Sequence, residues 1–78
     1  MKITQTERGF DITEFTDLYG SKCSLQKSSL ASQDAVWLGV DVHFKDGEVN
    51  HRMHLTRKKV ADLLPYLKRF VKTGELTP

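Results

Sequence analysis

The sequence predicts an α+β domain in which a small antiparallel sheet of about four strands (ββββα) is packed by one C-terminal amphipathic helix. Three observations predict it. Val36, Leu38, Val40, Val42 and Phe44 alternate with Trp37, Gly39, Asp41 and His43, which is the period of a half-buried strand. That run leads into Asp46-Gly47, a dipeptide that favours a two-residue type I′ hairpin because both central positions need positive φ. Val60, Leu63, Leu64, Leu67, Phe70 and Val71 then recur at the spacing of one helical stripe.

The expected turn sets an expected register. Counting outward from Asp46-Gly47 pairs Phe44 with Val49, Val42 with His51, Val40 with Met53 and Leu38 with Leu55 on an apolar face. The other face pairs His43 with Asn50, Asp41 with Arg52, Gly39 with His54 and Trp37 with Thr56, so Asp41 and Arg52 become a cross-strand ion pair. Upstream, Phe10 and Ile12 share one face of an extended segment and Phe15 falls on the other, which a bulge or burial on both faces would reconcile. Asp17-Leu18-Tyr19-Gly20 has the make-up of a type I turn leading into a strand over Lys22 to Gln26, where Cys23 and Leu25 share a face. The stretch between Lys27 and Asp34 reads as a loop or one helical turn. Thr56 is the expected N-cap of the helix and Gly74 its left-handed C′ residue. Pro65 lies away from the apolar stripe and is expected to bend the helix, and the stripe is expected to roof the apolar face of the hairpin.

At 78 residues the chain is one domain over 1–78, with residues 75–78 reading as a loose tail. A chain this short buries only roughly 60–65% of the surface its unfolded form exposes, so its core is thin and a deep substrate cleft is hard to build. Hydrophobic residues make up 38%, and no apolar run is long enough to span a bilayer. The first residues, Met1-Lys2-Ile3-Thr4-Gln5, contain no apolar signal region, and the single cysteine, Cys23, cannot form an internal disulfide. These features lead to the expectation of a cytoplasmic protein without a membrane partner.

Net charge is +2, but residues 1–44 hold four Lys/Arg against six Asp/Glu, whereas residues 45–78 hold eight against four. Arg57, Lys58, Lys59, Lys68, Arg69 and Lys72 carry most of that excess on the helix and are the candidates for phosphate or an acidic partner. Three of them occupy the first helical turn, where the dipole favours negative charge. The opposing reading is plain solvated charge. Trp37, Asp41, His43, Arg52 and His54 combine an aromatic with donors and acceptors on the outer face of the hairpin and are the candidates for partner binding. Burial of Trp37 against the rest of the fold is the structural alternative.

Catalytic and metal signals are weak. Cys23 has no orienting partner and reads as a core thiol, and none of the serines between Ser21 and Ser32 lies in a nucleophile-elbow motif. His51 points away from His43 and His54, and no recognised metal-ligand spacing is present. The expectation is a non-enzymatic chain with no catalytic residue, no metal and no cofactor. A homodimer is compatible with so thin a domain, which gains by burying a further face, although the pattern shows no interface.

The segments Arg8-Gly9-Phe10, Gly20-Ser21-Lys22-Cys23-Ser24-Leu25-Gln26-Lys27-Ser28-Ser29-Leu30-Ala31, Ala35-Val36-Trp37-Leu38-Gly39-Val40-Asp41 and Arg52-Met53-His54-Leu55-Thr56-Arg57 resemble small uncharacterised proteins encoded by bacteriophages and prophages. The chain departs from that pattern in two places. The family has a longer insertion where this sequence has Asp46-Gly47, and an acidic residue in the first helical turn where this sequence has Lys58 and Lys59. The resemblance implies a binding module in a bacterial host cell, acting on a host or phage protein as an inhibitor or regulator of a host system, the anti-CRISPR class included. The alternative is a nucleic-acid-binding protein that uses the basic helix face. Such a protein would show steep salt dependence, yet the helix lacks interleaved aromatics and the net charge is modest.

Overall fold

The structure, a computed structural model, describes residues 1–41 and 51–77, and at His51 the backbone alone. Five strands run in the order of the chain, β1 (Thr4–Gln5), β2 (Asp11–Thr16), β3 (Lys22–Lys27), β4 (Ala35–Val40) and β5 (His51–Thr56), followed by α1 (Arg57–Thr73). Every neighbouring pair is antiparallel, so this is an α+β domain built on an open sheet. The expectation of about four strands omitted only the short β1.

Two three-residue loops explain the N-terminal half. In each, a glycine with positive φ closes the turn, Gly9 at 85° and Gly20 at 82°, the left-handed position such loops require. Gly9 N–H donates to the Thr6 carbonyl at 2.9 Å and Gly20 N–H to the Asp17 carbonyl at 3.0 Å. The second loop is further held by Asp17 Oδ1, which accepts from the N–H groups of Tyr19 and Ser21 at 2.9 Å each. β2 and β3 then pair without interruption, Ile12 with Gln26 through Thr16 with Lys22. There is no bulge between them: Ile12 and Phe15 lie on opposite faces of a regular strand, each partly buried.

Residues directly opposite in an antiparallel pair share a face, so the register sorts the sheet. One face carries Phe15, Cys23, Leu25, Val36, Leu38, Val40, Met53 and Leu55, and we call it the apolar face. The other carries Ile12, Ser24, Gln26, Trp37, Arg52 and His54, and we call it the aromatic face. Within β4 and β5 the register differs from expectation. Leu38 lies opposite Met53, Val36 opposite Leu55, Trp37 opposite His54 and Gly39 opposite Arg52, a displacement of two residues from the expected pairs. Because side chains alternate with period two, this shift leaves every residue on its expected face, and apolar matching is equally good in both registers. The Asp46-Gly47 turn lies outside the described residues.

The helix begins and ends where expected. Thr56, extended at φ −77° and ψ 167°, accepts from Lys59 N–H at 3.3 Å, and Gly74 at φ 78° donates its N–H to the Phe70 carbonyl at 2.8 Å. The helix continues through Pro65. It touches the sheet chiefly at β5, the strand it follows. The expected roof over the hairpin is therefore missing: no helical residue is buried, and Leu64, Leu67 and Phe70 are 42%, 53% and 54% exposed. Among the described residues the buried apolar side chains are only Cys23 and Ala35, accompanied by Thr13, Ser24 and Ser28.

The Thr13 hydroxyl is buried without a hydrogen-bond partner. An unmet buried hydroxyl costs about 1–3 kcal/mol relative to a paired one. Thr13→Val keeps the β-branched shape and removes the orphan group, so it is expected to stabilise the fold by about 1 kcal/mol, measured as a raised urea midpoint at unchanged slope.

Candidate functional site

The aromatic face gathers four of the five candidate partner-binding residues. Trp37 and His54, cross-strand neighbours, stack with ring centroids 3.9 Å apart and planes inclined by 6°. The Arg52 guanidinium lies over the Trp37 ring at 5.7 Å and donates to Gln26 Oε1 at 2.7 Å. It also pairs with Asp41, Nε to Oδ1 at 3.6 Å, reaching that carboxylate along the strand from its place opposite Gly39. Asp41 Oδ1 accepts in turn from the hydroxyl of Ser24, which has no exposed surface. With Arg52 at 16% and Asp41 at 27% side-chain exposure, both charges are largely withdrawn from solvent and matched to each other. His43, the fifth candidate, lies outside the described residues.

His54 Nε2 and Ser28 Oγ are 2.9 Å apart. A serine beside a histidine invites comparison with nucleophilic catalysis, which needs an accessible hydroxyl and a third group to orient the ring. Ser28 is 6% exposed and its Oγ already accepts from Leu30 N–H at 3.1 Å, while no carboxylate among the described residues contacts His54. The pair ties the β3–β4 loop to β5. Cys23 is buried on the apolar face with Sγ 3.5 Å from the Ser21 carbonyl. Among the described residues no three His, Cys, Asp or Glu side chains converge as metal ligands would, and no helix is long and apolar enough to cross a membrane.

The six basic candidates do not converge. Arg57 approaches Asp34 at 3.8 Å, Lys58 pairs with Asp62 at 3.2 Å, and Arg69 donates to the Leu76 carbonyl at 2.7 Å while lying over the Tyr66 ring. Lys59, Lys68 and Lys72 form no ion pair among the described residues. The helix-start cations are thus partly answered by carboxylates rather than gathered for an anion.

Sequence reasoning missed Ser24, Gln26 and Ser28, the β3 residues and loop serine that brace this face. Their signal was the β3–β4 register, Gln26 opposite Trp37 and Ser24 opposite Gly39. Compared with known proteins, the chain matches no protein family, no curated protein and no solved structure.

Asp34 joins three elements, accepting from Lys27 Nζ at 3.1 Å and facing Arg57 at the start of α1. The hydrogen bond and charge of Lys27, with a further contribution from Arg57, hold its carboxyl below the ordinary aspartate range. A depressed folded value means that this contribution is present above the unfolded value and is lost as pH falls through the folded one. Wild type and Asp34→Asn are therefore expected to differ in urea stability at neutral pH and to converge in acid. A difference that persisted in acid would assign the effect to something other than this charge.

Proposed function

We propose that this chain is a non-enzymatic binding module that docks a protein partner through the aromatic face. The observation that carries the reading is the Trp37–His54 stack, held in one geometry by Arg52, Gln26 and Asp41. A partner meeting this surface finds an aromatic pair whose ordering cost has already been met within the fold, which is the condition under which buried aromatics dominate binding energy. The internal pairing of Arg52 and Asp41 also removes two charges that a protein interface would otherwise have to desolvate unpaired. The resemblance to bacteriophage and prophage proteins supports a host or phage protein as that partner. It also supports a role as inhibitor or regulator of a host system, of anti-defence or anti-CRISPR type. The nucleic-acid alternative on Arg57, Lys58, Lys59, Lys68, Arg69 and Lys72 is less well supported, because three of these already have partners within the chain.

The test is affinity capture from a bacterial lysate after nuclease treatment, comparing wild type with Trp37→Ala and with the double charge reversal Lys59→Glu/Lys68→Glu. Removal of an aromatic anchor costs about 2 kcal/mol or more, so Trp37→Ala is expected to lower partner affinity by at least about thirtyfold while the helix variant leaves it within threefold. Partner recovery that ignored Trp37→Ala, or that vanished with nuclease and fell steeply with salt, would overturn the protein-docking reading in favour of the helix.

A further inference from the structure

We propose that the chain functions as a homodimer in which each copy lays the apolar stripe of its α1 across the apolar sheet face of the other. The fold leaves two complementary surfaces uncovered. Val60, Leu63, Leu64, Leu67, Phe70 and Val71 fall within about 120° of the helix circumference, and their exposures run from 38% to 85%. Met53 and Leu25 on the apolar sheet face are 53% and 37% exposed. Where the helix leaves β5 the two surfaces meet in an open groove of about 540 Å³, with Val36 and Leu55 on the sheet side, Val60, Ala61 and Leu64 on the helix side, and Asp34 with its ion partners Lys27 and Arg57 also lining it.

Size identifies the occupant. The chain exposes 6723 Å², whereas a folded monomer of this mass exposes about 4,800 Å². The excess is about 1,900 Å², and obligate homodimers bury roughly 1,000–2,500 Å² from each subunit. The radius of gyration tells the same story: it is 14.2 Å, against about 11.5 Å for a compact chain of this length. A second copy brings both missing pieces at once, a stripe for the open sheet face and a sheet face for the open stripe, and a two-fold axis makes the exchange reciprocal. Each sheet then gains the helical layer that a two-layer α+β core requires.

Charge permits the arrangement. Lys58, Arg69 and Lys72 lie on the side of α1 away from the stripe and Lys68 on its flank, so they stay in solvent when the stripe is buried. Arg57 and Lys59 border the stripe on either side, and Arg57, paired with Asp34, lines the groove. The aromatic face, on the far side of the sheet, also remains free. The inference therefore stands or falls separately from the proposed docking role.

Sedimentation equilibrium of the full chain from about 1 to 100 μM is expected to give the dimer mass, and Leu67→Glu to weaken dimerisation by at least about tenfold, because each dimer buries that side chain twice. Lys72→Glu, about 140° round the helix from the centre of the stripe, should stay dimeric. In a sample mixing isotope-labelled and unlabelled chains, methyl contacts between Leu64 or Leu67 of one copy and Leu38 or Met53 of the other should appear. The proposal is overturned by a monomer across the whole concentration range, by a dimer lacking those helix-to-sheet contacts, or by a monomer whose helix becomes protected only on adding vesicles of anionic lipid. The last outcome would assign the stripe to a membrane surface.

Discussion

Everything in this fold depends on one sheet having two faces and only a single short chain to cover them. Five strands paired in the order of the chain are held by backbone hydrogen bonds between neighbours, but a lone layer encloses nothing. Among the described residues those that are buried are accordingly small, Ala35, Ser24, Ser28, Thr13 and Cys23, which the ladder itself and neighbouring side chains can shield. Large apolar side chains need a second layer about 10 Å away. The helix that could supply it departs from β5 with its stripe open.

The two faces answer this constraint differently. On the aromatic face the side chains satisfy one another laterally, through the Trp37–His54 stack and the chain of bonds from Ser24 through Asp41 and Arg52 to Gln26. Cross-strand pairs of this kind contribute roughly 0.2–1 kcal/mol each, and they fasten β3, β4 and β5 without needing a covering layer. The apolar face has no such recourse, because aliphatic side chains have only water exclusion to offer. One face is thus finished as a surface. The other is an unfinished core.

This difference also explains how much could be read from the sequence. Alternation in residues 36–40 and 52–55 assigned every residue to its correct face, and Thr56 and Gly74 located both ends of the helix, because those signals are local and chemical. The register shift was invisible for the same reason: moving two residues changes Trp37's neighbour from Thr56 to His54 and leaves the hydrophobic pattern untouched. β1 escaped notice because two polar residues, Thr4 and Gln5, carry no period, although Gly9 marked the turn that folds them back. For the candidate site, co-location of Trp37, Asp41, Arg52 and His54 was legible from alternation alone. The bracing by Gln26 and Ser24 was not, since it depends on which β3 residue meets which β4 residue. Amphipathicity located the stripe of α1 but not its partner: the expected roof over the hairpin is absent, because a period cannot specify which surface a stripe meets.

The unusual charge of α1 bears on what that stripe can meet. Six cations face the single carboxylate of Asp62 along the helix, and none of the first-turn residues is acidic to favour the dipole. Taken alone, this would oppose bringing two such helices into one assembly. Yet Lys58, Arg69 and Lys72 lie away from the stripe, with only Arg57 and Lys59 close to its edges, and a helix about 10 Å in diameter lying on a sheet holds the first three on its outer side. Charges on the outer sides of two such helices are then separated by more than the Debye length of about 8 Å at physiological ionic strength, and salt screens most of their repulsion. Local pairs temper the remainder, Arg57 with Asp34 and Lys58 with Asp62. Apolar burial grows with each side chain removed from water while screened repulsion does not, so in the proposed dimer the stripe outweighs the charge around it.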